Sequence, residues 1–206
     1  MSKKPQQARS IESTNRMLDA AESLLREGGP RAITVEAVIE RSETSMGSFY
    51  ARFGNHYGLL EALHERYLEV VIQEDLFERL ERAISEPDLA SAVQAFVETS
   101  FVMNYKHRDL SAFFMIFNND DRAMREMGAE MSRALADLLH RLVKAHRTEV
   151  SHKNLRAASD FATLLIAGIA LDTLLHEPGE FTGRARSNKQ IADSTSQAVV
   201  AYLKHG

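Results

Sequence analysis

The chain has no cysteine among its 206 residues, which excludes disulfides and thiolate chemistry and fits a reducing, cytoplasmic setting. No apolar signal segment opens it. Its most hydrophobic run, Phe161 to Leu175, is fifteen residues long and contains Asp172. Such a run is too short for a membrane span and reads as a buried helix, so no membrane association is expected. An excess of positive charge is also missing. The 25 Lys and Arg stand against 29 Asp and Glu, which excludes a protein that coats nucleic acid by charge alone. The balance is uneven, however: residues 1–60 hold eight basic and seven acidic side chains, leaving 17 and 22 for the remainder. Lys3, Lys4, Arg9 and Arg16 precede the near-neutral stretch and make a basic arm, which suits DNA better than the acidic remainder does.

Catalytic patterns are missing too. The eight histidines include no HExxH, and His140, His146 and His152 are six apart, which scatters them around a helix. No glycine-rich phosphate loop and no nucleophile motif is present. Asp120-Asp121 is more economically a helix cap than an acid/base pair. The chain therefore reads as a non-enzyme, with neither metal nor cofactor expected.

What the chain does contain is helical periodicity. A first helix is predicted from about Ser10 to Glu27, stopped by Gly28-Gly29-Pro30. A fourth runs from near Asn55 to about Glu74 with Leu59, Leu60 and Leu63 inward, and Gly58 in its first turn costs helix stability. After Glu86-Pro87-Asp88, further helices cover Leu89–His107 and Asp109–Phe117, then a long one ends near His146. Two more span Asn154–Leu175 and Asn188–Leu203. With the pair described next, that makes about nine helices and no strand, an all-α protein.

The rest is organised around the twenty residues Thr34 to Phe53, two short helices joined by a tight turn. Thr34 caps the first, with Ile33 and Val38 as a hydrophobic staple. Ser42-Glu43-Thr44-Ser45 breaks the period, and Ser45 caps a second helix in which Phe49 and Phe53 share the inner face. Met46, Gly47, Ser48 and Tyr50 are left near its exposed N-terminal end, where a helix-turn-helix meets DNA.

Ile33-Thr34-Val35, then Ser45-Met46-Gly47-Ser48-Phe49-Tyr50, then Phe53 and Leu59-Leu60, resemble the N-terminal domain of TetR-type transcriptional regulators. The resemblance runs from Met17 to about Leu63. It implies a three-helix DNA-binding domain over residues 1–54, and a ligand-binding and dimerisation domain over 55–206. Thr44, Ser45, Met46, Gly47 and Ser48 then approach base edges, while Tyr50, Arg52 and His56 approach phosphates. The chain departs from the family at Glu43, where a turn glycine is usual, and at Met46 and His56, where lysine is common.

The resemblance also implies an effector pocket in the middle region. Phe101, Phe114, Phe117, Met127 and Met131 supply apolar walls, and Asn104, Tyr105 and His140 polar contacts. It further implies a homodimer in which the two C-terminal helices pair with their twins. The contacts are Phe161, Leu165, Gly168 and Ile169 on one helix, and Ile191, Thr195, Ala198 and Tyr202 on the other. The reading is a repressor released from a palindromic operator by a small apolar or amphipathic effector. The alternative is a dimeric DNA-associated protein of the same fold without an effector.

Overall fold

The computed structural model describes residues 4–73, 76–117, 122–180 and 182–206. These residues form ten α-helices and no strand, as an all-α chain requires. Contacts divide the chain into two compact units, Met1–Val70 and Val71–Gly206. The sequence pattern puts the division at 54/55. The first unit extends further because Leu59, Leu60 and Leu63 of the fourth helix are buried in it.

In the first unit, α1 (Lys4–Gly28) packs against α2 (Val35–Ser42), and α3 (Met46–Phe53) completes the helix-turn-helix. Met17, Ala21, Val38 and Phe49 are fully buried and form its centre. Gly29, at φ 70°, ends α1 in the left-handed region, and a single 3-10 turn, Pro30–Ala32, leads to Thr34. The final helix, α4 (His56–Gln73), is pinned to α1 by Arg66, which lies 2.5 Å from Asp19 and 3.2 Å from Glu22.

The second unit opens with a helix that the sequence reading passed over, α5 (Leu76–Ala83). Leu76, Leu80 and Ala83 recur at helical spacing and are buried, while Glu78, Glu81 and Arg82 mark the polar side. Next come α6 (Leu89–Lys106), α7 (Arg108–Phe117) and α8 (Arg122–Ala145). Asn118-Asn119-Asp120 and Asp121 lie outside the described residues. Helix α6 is central: seven of its side chains are buried, and its main partner is α10 (Asn188–His205). Asp88 caps α6 through the Ser91 N–H at 2.8 Å. Glu149 accepts the Leu89 N–H at 2.8 Å and the Lys204 ammonium at 2.9 Å, joining α6 to α10. Lys204 and then the Leu89 N–H hold the Glu149 carboxyl below its ordinary pKa.

Helix α9 (Leu155–Leu175) begins at an Asn154 cap and α10 at a Ser187–Gln190 capping box. With 21 residues, α9 is long and apolar enough to cross a membrane by length and composition alone. It gains that length over the run read from sequence by including Arg156 and Asp160. Arg156 pairs with Asp137 at 2.6 Å and with Asp160 at 3.0 Å. One side of α9, from Ala158 through Ala162, Ile166 and Ala170 to Leu174, is buried within its own unit.

Candidate nucleic-acid interface

The turn before α3 is built from side chains that satisfy one another. Thr34 accepts the Ala37 N–H, fixing the start of α2. Glu43 ends that helix at φ 51° and ψ 45°, a left-handed conformation that costs a residue with a Cβ on the order of 1 kcal/mol. The turn thus keeps the geometry glycine would favour, and Glu43 bears the strain. Thr44 is half-buried with its hydroxyl 2.7 Å from that of Ser42. Ser45 accepts the Ser48 N–H at 3.2 Å and donates to the Ser48 hydroxyl at 3.1 Å, so α3 begins at a fixed angle.

The inner side of α3 is Phe49, with its ring 5.2 Å from that of Phe53. The outer side offers Ser45, Met46, Gly47 and Tyr50, all exposed, with Met46 at 45% and Tyr50 at 50%. A Cβ built on Gly47 meets no atom within 4 Å, so nothing in the protein accounts for a residue without a side chain there. This is a short, rigidly placed helix end presenting small polar groups, one thioether and one phenol, dimensions suited to the major groove.

Two residues expected at phosphates are committed elsewhere. Arg52 is half-buried and donates to the Ser48 carbonyl at 2.9 Å, the Ser10 carbonyl at 3.3 Å and the Ser10 hydroxyl at 3.5 Å. Nε and Nη2 thus tie α3 to α1, while Nη1 stays within α3. His56 places Nε2 2.7 Å from the Ile33 carbonyl, so that nitrogen donates and only Nδ1 is left for another partner. Tyr57, which the sequence reading does not name, is 52% exposed beside His56, with the two ring centroids 6.2 Å apart. Its signal was the period of α4, which sends Leu59, Leu60 and Leu63 inward and Tyr57 out. Gly58 was misjudged: a Cβ there would stand 1.9 Å from the Phe53 carbonyl oxygen, so close packing demands glycine. Beside the site, Arg41 donates to both carboxylate oxygens of Glu27, at 2.6 and 2.8 Å, and to Ser23 at 2.8 Å. Arg41 first, then Ser23, brings the Glu27 pKa down to about 2.

The residues expected around an effector do not converge on one place. Phe101 and Tyr105 line a groove of about 620 Å³ between α6 and α10, and Asn104, Phe114, Met131 and His140 are not in its lining. Phe114 is core, against Phe113. His140 faces α9, its Nδ1 3.2 Å from the Ser159 hydroxyl. The Phe117 and Met127 side chains lie outside the described residues.

The expected self-association residues divide. On α9, Phe161 and Gly168 are exposed and Leu165 and Ile169 half-buried. On α10, Ala198 is exposed and Ile191 and Tyr202 half-buried, with the Tyr202 ring 4.8 Å from Phe161. Thr195 does not belong to this face. It is 2% exposed and donates to the Ile191 carbonyl at 2.8 Å, because its position on α10 turns into the unit's own core. Ala162 and Ala170 likewise face inward, leaving Ala167 and Gly168 as the small residues outside. Among the described residues, no cluster of three or more His, Asp or Glu could hold a metal ion.

Residues 17–63 match the model of bacterial regulatory proteins of the tetR family. No curated protein sequence matches the chain. Solved structures that share its fold include a protein of unknown function from Rhodococcus sp. RHA1, 20% identical, covering 94% of this chain and 96% of that one, with a TM-score of 0.69. A bacterial regulatory protein of the tetR family from Rhodococcus RHA1 is 16% identical, covers 93% and 96%, and has a TM-score of 0.65. The TetR family transcriptional regulator PfmR from Thermus thermophilus is 14% identical, covers 90% and 97%, and has a TM-score of 0.67. The chain therefore carries the helix-turn-helix domain of the tetR family of bacterial regulatory proteins, on the fold of TetR-type transcriptional regulators.

Proposed function

We propose that the protein is a cytoplasmic, dimeric repressor released from a palindromic operator by a small apolar or amphipathic effector. The observation that carries the DNA-binding part is α3, capped by Ser45, buried at Phe49 and open at Met46, Gly47 and Tyr50. Ser45, Met46, Gly47 and Ser48 approach base edges. Tyr50 and Tyr57 donate hydroxyls to phosphates, His56 Nδ1 is a further donor in the imidazolium form, and Arg52 holds the helix in place.

Dimerisation is supported by the outer side of α9. Phe161, Leu164 and Leu175 are 50%, 69% and 43% exposed, and with Ala167 and Gly168 they make an apolar stripe at helical spacing. A two-fold partner covers such a stripe with its own copy. Effector binding releases DNA only if the ligand prefers the non-binding state, and operator must then weaken ligand binding by the same factor.

Selection of bound duplexes from random DNA tests the proposal. The expected product is a palindrome with half-sites about one duplex turn, or a multiple, apart. Enrichment of single half-sites bound by monomer would refute the dimer, and no enrichment would refute operator recognition.

A further inference from the structure

The loop between α9 and α10 folds back on itself. The Gly183 N–H donates to the Gly179 carbonyl at 2.8 Å, and the Glu180 carboxylate accepts the Glu177 N–H at 2.9 Å. A Cβ on Gly179 would stand 2.7 Å from the Ala185 nitrogen, so the two arms of the loop touch. This loop, the end of α9 and the start of α10 bound a groove of about 370 Å³. That volume falls in the range of roughly 300–1,000 Å³ typical of small-molecule sites.

The loop side of the groove is cationic. Arg184 and Arg186 both line it and are exposed, and neither guanidinium has a hydrogen-bond or ion-pair partner among the described residues. The carboxylates at the rim are engaged elsewhere: Asp172 lies 3.0 Å from His176 Nδ1, and Glu177 3.4 Å from Arg108 Nη2. The helix side mixes carbon surface with hydroxyls. Ile169 and Ile191 supply the first. Thr173 and Thr195 donate their hydroxyl hydrogens to the Ala170 and Ile191 carbonyls, at 2.7 and 2.8 Å, so toward a ligand their oxygens can only accept. Guanidiniums can only donate. A ligand that matches both sides carries an anionic group rich in acceptors together with hydroxyl donors. Two unmatched guanidiniums suit a phosphate monoester better than a carboxylate, because it brings about −1.5 to −2 charge at pH 7 and three acceptor oxygens.

We infer that this groove binds a small hydroxylated phosphate monoester, its phosphate at Arg184 and Arg186 and its hydroxyls against the α9 and α10 threonines. The site is separate from the apolar effector proposed above and stands whether or not that reading holds. Ile169 and Ile191 also belong to the expected subunit contact, whereas the two arginines do not, which puts the site at the border of that face.

Calorimetry on the intact protein at about pH 7.5, where the monoester is a dianion, tests the assignment with glucose 6-phosphate, glucose, gluconate and inorganic phosphate. Glucose 6-phosphate should bind most tightly, gluconate and phosphate about tenfold or more weakly, and glucose not at all. Arg184→Gln and Arg186→Gln should each weaken glucose 6-phosphate by about tenfold or more, with the melting temperature of the free protein unchanged. The double variant should abolish binding. Lys153→Gln removes an exposed cation outside the groove and should leave the affinity intact. An equal loss in Lys153→Gln, phosphate binding as tightly as glucose 6-phosphate, gluconate binding more tightly than either, or no binding by any probe would each overturn the assignment.

Discussion

The two units of this chain expose different things. In the first, α2, α3 and α4 are fixed at their starts by Thr34, Ser45 and Asn55, and even Arg52 and His56 spend hydrogen bonds on holding elements together. What remains outside is a few small or aromatic side chains at the start of α3 and α4. In the second, long helices bury their inner sides, yet α9 leaves Phe161, Leu164 and Leu175 in water. Rigid placement of a few polar contacts suits reading a groove in DNA, whereas a continuous apolar stripe suits covering by a second copy. The proposed function follows this difference, giving recognition to one unit and association to the other.

The sharpest way to separate them is a pair of substitutions. Phe49→Ala empties the centre of the first unit and should cost about 3–5 kcal/mol. DNA binding should vanish while sedimentation still reports a dimer. Leu164→Glu, at a side chain 69% exposed, should give monomers whose first unit keeps its hydrogen-exchange protection. Loss of the dimer in Phe49→Ala would show that the units do not divide the tasks.

Gly58→Ala should have the next largest effect. Helix propensity alone predicts a gain of roughly 0.5–1 kcal/mol. Because the new Cβ would meet the Phe53 carbonyl, the expected outcome is a loss of about 1–3 kcal/mol, read by denaturant titration. Glu43→Gly should act in the opposite direction and stabilise the first unit by about 1 kcal/mol, since it relieves the left-handed strain. An unchanged denaturation midpoint would mean that the turn relaxes around Glu43 at no cost.

The smallest expected effect is on pH dependence. His64 is 3% exposed, and burial lowers its pKa from 6.5. The unfolded chain then binds a proton that the folded unit resists, so stability is full above about pH 6.5 and declines as pH falls toward the folded pKa. Denaturation of the first unit at about pH 7.5 and about 5.5 should show this decline, and His64→Leu, which leaves His56 in place, should flatten it. An undiminished slope in the variant would assign the proton to another group.

Local chemistry explains what could be read from the sequence. Thr34 and Ser45 cap their helices as their positions predict, and Phe49 is fully buried. Each cap closes on a residue three positions away, and the burial of Phe49 follows the helical period. The hydrogen bonds of Arg52 to Ser10 and of His56 to Ile33 could not be read in advance, because those partners are distant in sequence. The clash at Gly58 arises from the kink after α3, which no periodicity records. Helix α5 lay hidden in Leu76–Ala83 because, unlike the equally short α2 and α3, it falls outside the stretch that carries the family resemblance. Thr195 looked like surface because α10 has apolar residues on two sides, and only packing decides which side is inward.

One substitution tests directly whether the outer side of α3 enters the groove. Gly47 is exposed with open space around its Cα, so Gly47→Ala should raise helix stability by about 0.5–1 kcal/mol. In the groove, the same methyl group would stand where a base edge must approach. The measurement is the melting temperature of the variant together with its affinity for the selected operator. The expected result is opposite signs: a more stable protein that binds DNA more weakly or selects a different sequence. A more stable protein with unchanged affinity and unchanged preference would contradict the placement of α3 against DNA.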